Sequence, residues 1–234
     1  IVAALAAPYA AAAGFAWWAV PGREGESRPD DDIDGETRAA VVRALRIPGI
    51  ATAMVAHTCM LFVYQGLTAF YVTYFVDVGG FDQGIVALLF ATMFLAGSAT
   101  QVTGGFIANT LGARRVLLVL ASVGVVSSVA LPLVASLGPL LVVTLVVGTR
   151  LGYAPVSNAY MIAVLPDAVR GKAWGILRTV FFLFGSLGST VVGVMADAGY
   201  FDEAFFVLAA VSGIAALFYL RLPPRGAAIE ARTT

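Results

Sequence analysis

An all-α integral membrane protein with seven membrane-spanning helices is the fold class this sequence predicts, and three observations predict it. Apolar residues make up 60% of the chain and charged residues only 12%, about half the charged share of an ordinary soluble domain. The apolar residues gather into runs of about 20 or more, the length a helix needs to cross roughly 30 Å of hydrocarbon. The polar breaks between the runs alternate between basic and non-basic, as successive loops on the two sides of a bilayer do.

The spans fall at residues 1–20, 48–76, 83–110, 115–136, 138–165, 172–196 and 201–221, and their apolar runs are too long for strands. Prolines inside them, such as Pro132 and Pro155, are tolerable in a membrane helix because neighbouring helices satisfy the freed backbone groups. Residues 21–47 divide one span from six. The Gly, Pro and acidic residues from Arg23 to Glu36 read as a flexible linker, and Thr37 to Arg46 as a short amphipathic surface helix with Val41, Val42 and Leu45 on its apolar side. Residues 223–234 form a tail. No basic stretch precedes the first apolar run at Ile1, so a secretory leader is a poor reading and the sequence reads as starting partway through a protein.

Orientation follows from the basic residues. Arg23, Arg28, Arg38, Arg43 and Arg46 precede the second span, Arg114 and Arg115 the fourth, Arg170 and Lys172 the sixth, and Arg221, Arg225 and Arg232 follow the last. The alternate breaks, with Asp77 and Asp82, then Ser136 to Pro139, then Asp197, Asp202 and Glu203, hold no Lys or Arg. The positive-inside rule therefore puts the N-terminus outside and the C-terminus in the cytoplasm of a multi-pass protein of the cell membrane.

One basic break has a structure of its own. Gly104 to Arg115 reads Gly-Gly-Phe-Ile-Ala-Asn-Thr-Leu-Gly-Ala-Arg-Arg: Gly104 and Gly105 allow a neighbouring helix close, Gly112 permits a tight reversal at positive φ, and the arginines fix the turn on the positive side. A weak echo, Gly193-x-x-x-Asp197-x-Gly199, ends the sixth span on the opposite side, as an inverted repeat of two three-helix groups would.

With the linker, the span count and the charge pattern, this turn resembles the cytoplasmic signature of the major facilitator superfamily (MFS). Gly105, Gly112, Arg114 and Arg115 match it, while Asn109 stands where Asp is usual, Thr110 where a base is usual and Ala113 where the first terminal Arg would be. Arg170-Gly171 is similar to another of the family's cytoplasmic turns. The resemblance implies that residues 1–20 are the last helix of an otherwise absent N-terminal half, 21–47 the central cytoplasmic linker, and 48–222 the C-terminal half, an inverted 3+3 bundle. It further implies a secondary transporter moving a small solute by alternating access, an efflux protein or a permease for anions or organic solutes. Its partners would be the bilayer, the solute, a coupling proton or ion, and the missing N-terminal half with its five further helices. The turn, with Gly105, Asn109, Gly112, Arg114 and Arg115, would belong to a cytoplasmic gate. The second and fifth spans here would line the central cavity, and the fourth and seventh would be peripheral.

The polar residues of the spans mark where chemistry is expected, because a polar group in lipid needs a partner or a purpose. Arg150 lies about 16 Å into the fifth span at 1.5 Å per residue, near the bilayer centre. Tyr153, Ser157 and Tyr160 share its helical face and Asn158 lies beside it. Such a face binds an anionic group, pairs with a carboxylate from the absent half, or holds helices together as a fixed ion pair. The second span carries His57, Tyr64, Thr68 and Tyr71 on one face with Gln65 adjacent. His57, the single histidine, either takes a proton near neutral pH or stays a neutral core imidazole. Arg178 lies within about 10 Å of the cytoplasmic face and reads as structural, as do Thr100 and Gln101 in the Gly-rich third span. The fourth and seventh spans hold Ser122, Ser127, Ser128 and Ser212, small hydroxyls that can bond back to their own helices, and read as lipid-facing supports.

Other classes fare worse. A seven-span photoreceptor needs a lysine deep in its last helix, and the single lysine is Lys172. One His and one Cys, Cys59, supply no metal cluster and no intrachain disulfide, and no nucleophile and base pair within the spans, so neither an enzyme nor a bound cofactor is expected. Zero net charge implies no nucleic-acid partner.

Overall fold

The computed structural model describes residues 42, 45–47, 49–165, 170–224 and 226–227, with Lys172 described in its backbone alone. The expected first span at 1–20, nearly all of the linker 21–47 with its surface helix, and most of the 223–234 tail lie outside the described residues. Everything described belongs to one compact unit, Thr37–Thr234.

Among the described residues six helices are long and apolar enough to cross a membrane, and each lies within a few residues of a span expected from the sequence. We label them α1 (Ile50–Asp77), α2 (Gln83–Leu111), α3 (Ala113–Ala130), α4 (Leu137–Thr149), α5 (Tyr153–Val164), α6 (Arg170–Asp197) and α7 (Phe201–Leu220), with α4 and α5 forming a single span.

The ends of these helices are set by a few residues. Asp82 starts α2 by accepting from the amides of Gly84 and Ile85 at 2.9 and 3.1 Å, satisfying donors that have no partner inside the helix. Gly112 separates α2 from α3 alone, at φ +85° and ψ 140°, a conformation open essentially to glycine. Pro132 sits in the 3-10 turn Leu131–Leu133 that closes α3. Pro155 does more than the sequence suggests. It has no amide to donate to the Leu151 carbonyl and its ring crowds that carbonyl, and the chain tightens into a 3-10 turn at Arg150–Gly152. The span runs through this proline as expected, with its middle tightened into 3-10 geometry.

Packing is pairwise. α1 lies along α6 and also touches α7, α2 lies along α4 and the turn that follows it, and α3 lies along α7. Glycines allow two of these pairs to approach closely. At the α1–α6 crossing a methyl group on Gly188 would overlap the Phe62 carbonyl, and one on Gly66 would press on the Gly188 carbonyl. At the α2–α4 crossing a methyl on Gly148 would overlap the Met93 carbonyl, one on Gly152 that of Thr100, and one on Gly97 the Leu151 side chain. The expectation that Gly104 and Gly105 make the close contact of α2 is corrected here: Gly104 has only ordinary contact distances and Gly105 faces open space. The contact forms higher on α2, because it needs small residues on both helices at the same depth.

A second correction concerns α3 and α7, expected as lipid-facing supports. Both are 39% buried within the bundle, against 22% for α2 and α6, and Ser127, Ser128 and Ser212 are at most 1% exposed. Their hydroxyls lie in the seam between the two helices, where small side chains fit.

The core falls into two apolar clusters. One, around Met60, Leu117, Met161, Leu177 and Phe181, lies toward the end that carries Arg114, Arg115 and Arg221; the other, around Phe75, Leu89, Leu131, Leu140 and Phe205, lies toward the end of Asp77, Asp82 and Asp202. At the acidic end Tyr74 Oη donates to Asp202.

Candidate functional site

The 3-10 turn in the middle of the α4–α5 span carries Arg150, in the interior at mid-span. Its side chain is 4% exposed, and neither Nη1 nor Nη2 has a hydrogen-bond partner among the described residues. A buried guanidinium without partners is costly, so its position calls for an explanation that the six described helices do not themselves supply.

What surrounds it is a small cavity of about 10 Å³ lined by Tyr64, Leu67, Thr68, Met93, Val147, Arg150, Leu151 and Tyr153, enough for roughly one water molecule. Four residues expected at the site from sequence, Arg150, Tyr153, Tyr64 and Thr68, thus meet on one cavity from two different helices. Thr68 spends its hydroxyl on the Tyr64 carbonyl at 2.8 Å, which leaves the Tyr64 and Tyr153 hydroxyls and the guanidinium as the polar groups at hand.

The other expected residues are placed elsewhere. Tyr71 is fully buried, shares a hydrogen bond with Thr144 of α4 and packs on Phe75 and Phe90. Ser157 faces the Tyr219 hydroxyl without the geometry of a hydrogen bond. Tyr160 donates to the Pro223 carbonyl at 3.0 Å and closes the basic end. Gln65 and Asn158 are half-buried, and Asn158 Oδ1 has no partner among the described residues. His57 is 2% exposed and wedged between the rings of Phe181 and Tyr153, at centroid distances of 4.3 and 5.2 Å. Arg178 is exposed, its guanidinium 5.5 Å from the ring centre of Phe182.

Sequence reasoning missed one neighbourhood. A Cβ on Gly124 of α3 would lie 3.1 Å from Ser212 Oγ of α7 and 3.8 Å from Arg150 Nε, so the arginine reaches into the α3–α7 seam. Ser127 bonds back to the Gly124 carbonyl at 3.4 Å as expected, but the hydroxyls of Ser128 and Ser212 have no partner among the described residues. The one signal in the sequence was a glycine four residues before Ser128, on the same face of the helix.

At the basic end, Gly105, Asn109, Gly112, Arg114 and Arg115 all line a groove of about 1170 Å³ between α2, α3, α5 and the end of α7, together with Phe106, Pro155 and Tyr160. Asn109, Arg114 and Arg115 are exposed there.

Comparison with known proteins agrees with this architecture. The family profile described as Major Facilitator Superfamily matches residues 1–154 and, in a second placement, 80–233. A Cupriavidus necator protein named "Probable sulfoacetate transporter SauU" is 33% identical over 134 residues, which cover 57% of this chain. The matched stretch is 31% of that relative's length, so the match covers less than a third of it. With six apolar helices arranged as described and a matching profile over its whole length, the chain is a multi-pass membrane protein and belongs to the Major Facilitator Superfamily.

Proposed function

We propose that this chain is the last helix of the N-terminal half, the linker and the C-terminal half of a secondary transporter that moves a small organic anion across the cell membrane by alternating access. The observation that carries the reading is the buried Arg150, whose Nη1 and Nη2 have no hydrogen-bond partner among the described residues, on a mid-span 3-10 turn beside the cavity it shares with Tyr64, Thr68 and Tyr153. A charged side chain at membrane depth is costly and marks a solute or ion pathway where it faces the bundle interior, and transporters place their solute sites near the midplane. A guanidinium matches a carboxylate or a sulfonate, each a planar or trigonal set of anionic oxygens. The name of the C. necator relative, with its sulfonated and carboxylated solute, supports the same class.

The pairing of the helices supports an inverted 3+3 arrangement. Exchanging α1 with α4–α5, α2 with α6, and α3 with α7 turns the α1–α6 crossing into the α2–α4 crossing and leaves the α3–α7 pair unchanged. Gly112 after α2 and Gly199 after α6, at φ +85° and +84°, fit the same exchange. The sparsely buried faces of α2 and α6 suit a second, absent half. In this arrangement the basic end is cytoplasmic and the N-terminus external, and Arg114 and Arg115 bias the gate by contacts made in one state and released in the other.

The test is uptake of labelled sulfoacetate by the full-length protein in liposomes. Arg150→Ala is expected to lower uptake about 30-fold or more, the cost of removing one side of a buried charge pair, and Arg150→Lys to recover only part, since an ammonium lacks the planar fork. Wild-type transport by both variants would refute the reading. Counterflow with labelled and unlabelled solute separates a carrier from a channel.

A further inference from the structure

We propose that Gly124 of α3 and Ser212 of α7 are positioning residues for Arg150, forming the seat that fixes its guanidinium and so sets how strongly the cavity attracts an anion. This rests on the reading of Arg150 as the anion-binding group, and it assigns a role in that site to the two helices that the sequence marked as mere supports.

The geometry points in one direction. Gly124 is buried against α7, and the space its missing side chain leaves is bordered by Ser212 Oγ on one side and Arg150 Nε on the other. Any larger residue there meets Ser212 first, at 3.1 Å, a distance tighter than ordinary packing, and then the arginine. Ser212 is fully buried and its hydroxyl is unspent among the described residues, unlike Ser127. Serine in a helix ordinarily bonds back to a carbonyl one turn earlier. A hydroxyl that does not do so among the described residues, at the edge of a slot that Arg150 Nε also borders, puts a free acceptor and a donor on the same slot. When it accepts from the guanidinium, the arginine has one fixed partner on its inner side and points its remaining N–H groups at the cavity. This is how a single cation acquires direction in a site otherwise lined by Leu67, Met93, Val147 and Leu151.

The experiment is a set of full-length variants assayed for sulfoacetate uptake, with KM and Vmax resolved and amounts in the membrane equalised. Ser212→Ala is expected to raise KM about tenfold, the size of a hydrogen bond to a charged group, with Vmax and thermal stability in detergent near wild type. Ser212→Thr, which keeps the hydroxyl, is expected to restore KM to within about twofold. Gly124→Ala is expected to raise KM as well, and Gly124→Ala with Ser212→Ala to do so no further than the worse single variant, since both act on one seat. An unchanged KM in Ser212→Ala, or a Ser212→Thr as impaired as the alanine variant, overturns the proposal. Arg150→Ala run in parallel keeps the two ideas apart: if it transports normally the anion reading itself has failed, and if it is inactive while Ser212→Ala is unaffected, only the seat has.

Discussion

The α1–α6 and α2–α4 crossings are built alike and end differently. Both bring backbone to backbone over glycine, Gly188 against the Phe62 carbonyl in one and Gly148 against the Met93 carbonyl in the other. α1 is α-helical throughout its 28 residues, while its counterpart passes from α4 to α5 through a 3-10 turn at Arg150–Gly152. On α1, Thr68 is bonded to its own helix, Tyr71 to Thr144 and Tyr74 to Asp202, while His57 Nδ1 has no partner among the described residues. In and after the 3-10 turn, Arg150, Ser157 and Asn158 likewise keep unspent polar atoms among the described residues, and Arg150 alone of these unspent groups carries a full charge. Tight packing is common to both crossings and so identifies neither as a site. The 3-10 turn, and the buried guanidinium it carries, is what distinguishes one from the other.

The comparison can be broken most forcefully at the glycines. Gly148→Ala and Gly188→Ala are each expected to cost about 3 kcal/mol or more, at the upper end of overpacking because the obstacle is backbone. The midpoint of thermal unfolding in detergent measures it. A large loss at one and none at the other would mean that the crossings are not equivalent. The next effect falls on the 3-10 turn. Pro155→Ala restores a donor for the Leu151 carbonyl and removes the ring, so the span is expected to run straighter and gain stability by about 1 kcal/mol. Uptake is expected to fall about tenfold as Arg150 turns with the helix. Amide exchange at residues 151–155 together with uptake reads both, and a variant that gains protection yet transports normally would make the turn incidental. The smallest effect sharpens the settled side: Tyr71→Phe removes one interhelical hydrogen bond, worth about 0.6 kcal/mol in a membrane protein, and should lower the unfolding midpoint slightly with no change in KM.

Much of this architecture was legible because lipid is an undemanding reader: a helix in hydrocarbon must be apolar and long enough, and the runs from 48 to 221 reveal both. Arg150 was legible for the same reason, as a charge where charge is expensive. The 3-10 turn beside it was not, since Pro155 is compatible with a kinked or a tightened helix and neighbouring packing decides which. The close contacts were misplaced onto Gly104 and Gly105 because a glycine is informative only with the helix opposite it, and the sequence does not say that Gly97 meets Gly148. Ser212 was passed over on similar grounds. Serine suits a lipid-facing helix that satisfies itself and a buried seam that does not, and only the presence of α3 across from it separates the two.

The depth of Arg150 has an electrical consequence. It stands at the middle of the span Leu137–Val164, so an anion arriving from either face crosses about half of the transmembrane voltage before it meets the guanidinium. Moving one charge across the whole membrane is worth about 2.3 kcal/mol per 100 mV. Half the distance is worth about 1.2 kcal/mol for each unit of charge, so occupancy of the site by a monovalent anion from a given side should change about sevenfold for each 100 mV. In a cell whose interior is negative, the resting voltage would by itself make the site easier to fill from the cytoplasm than from outside.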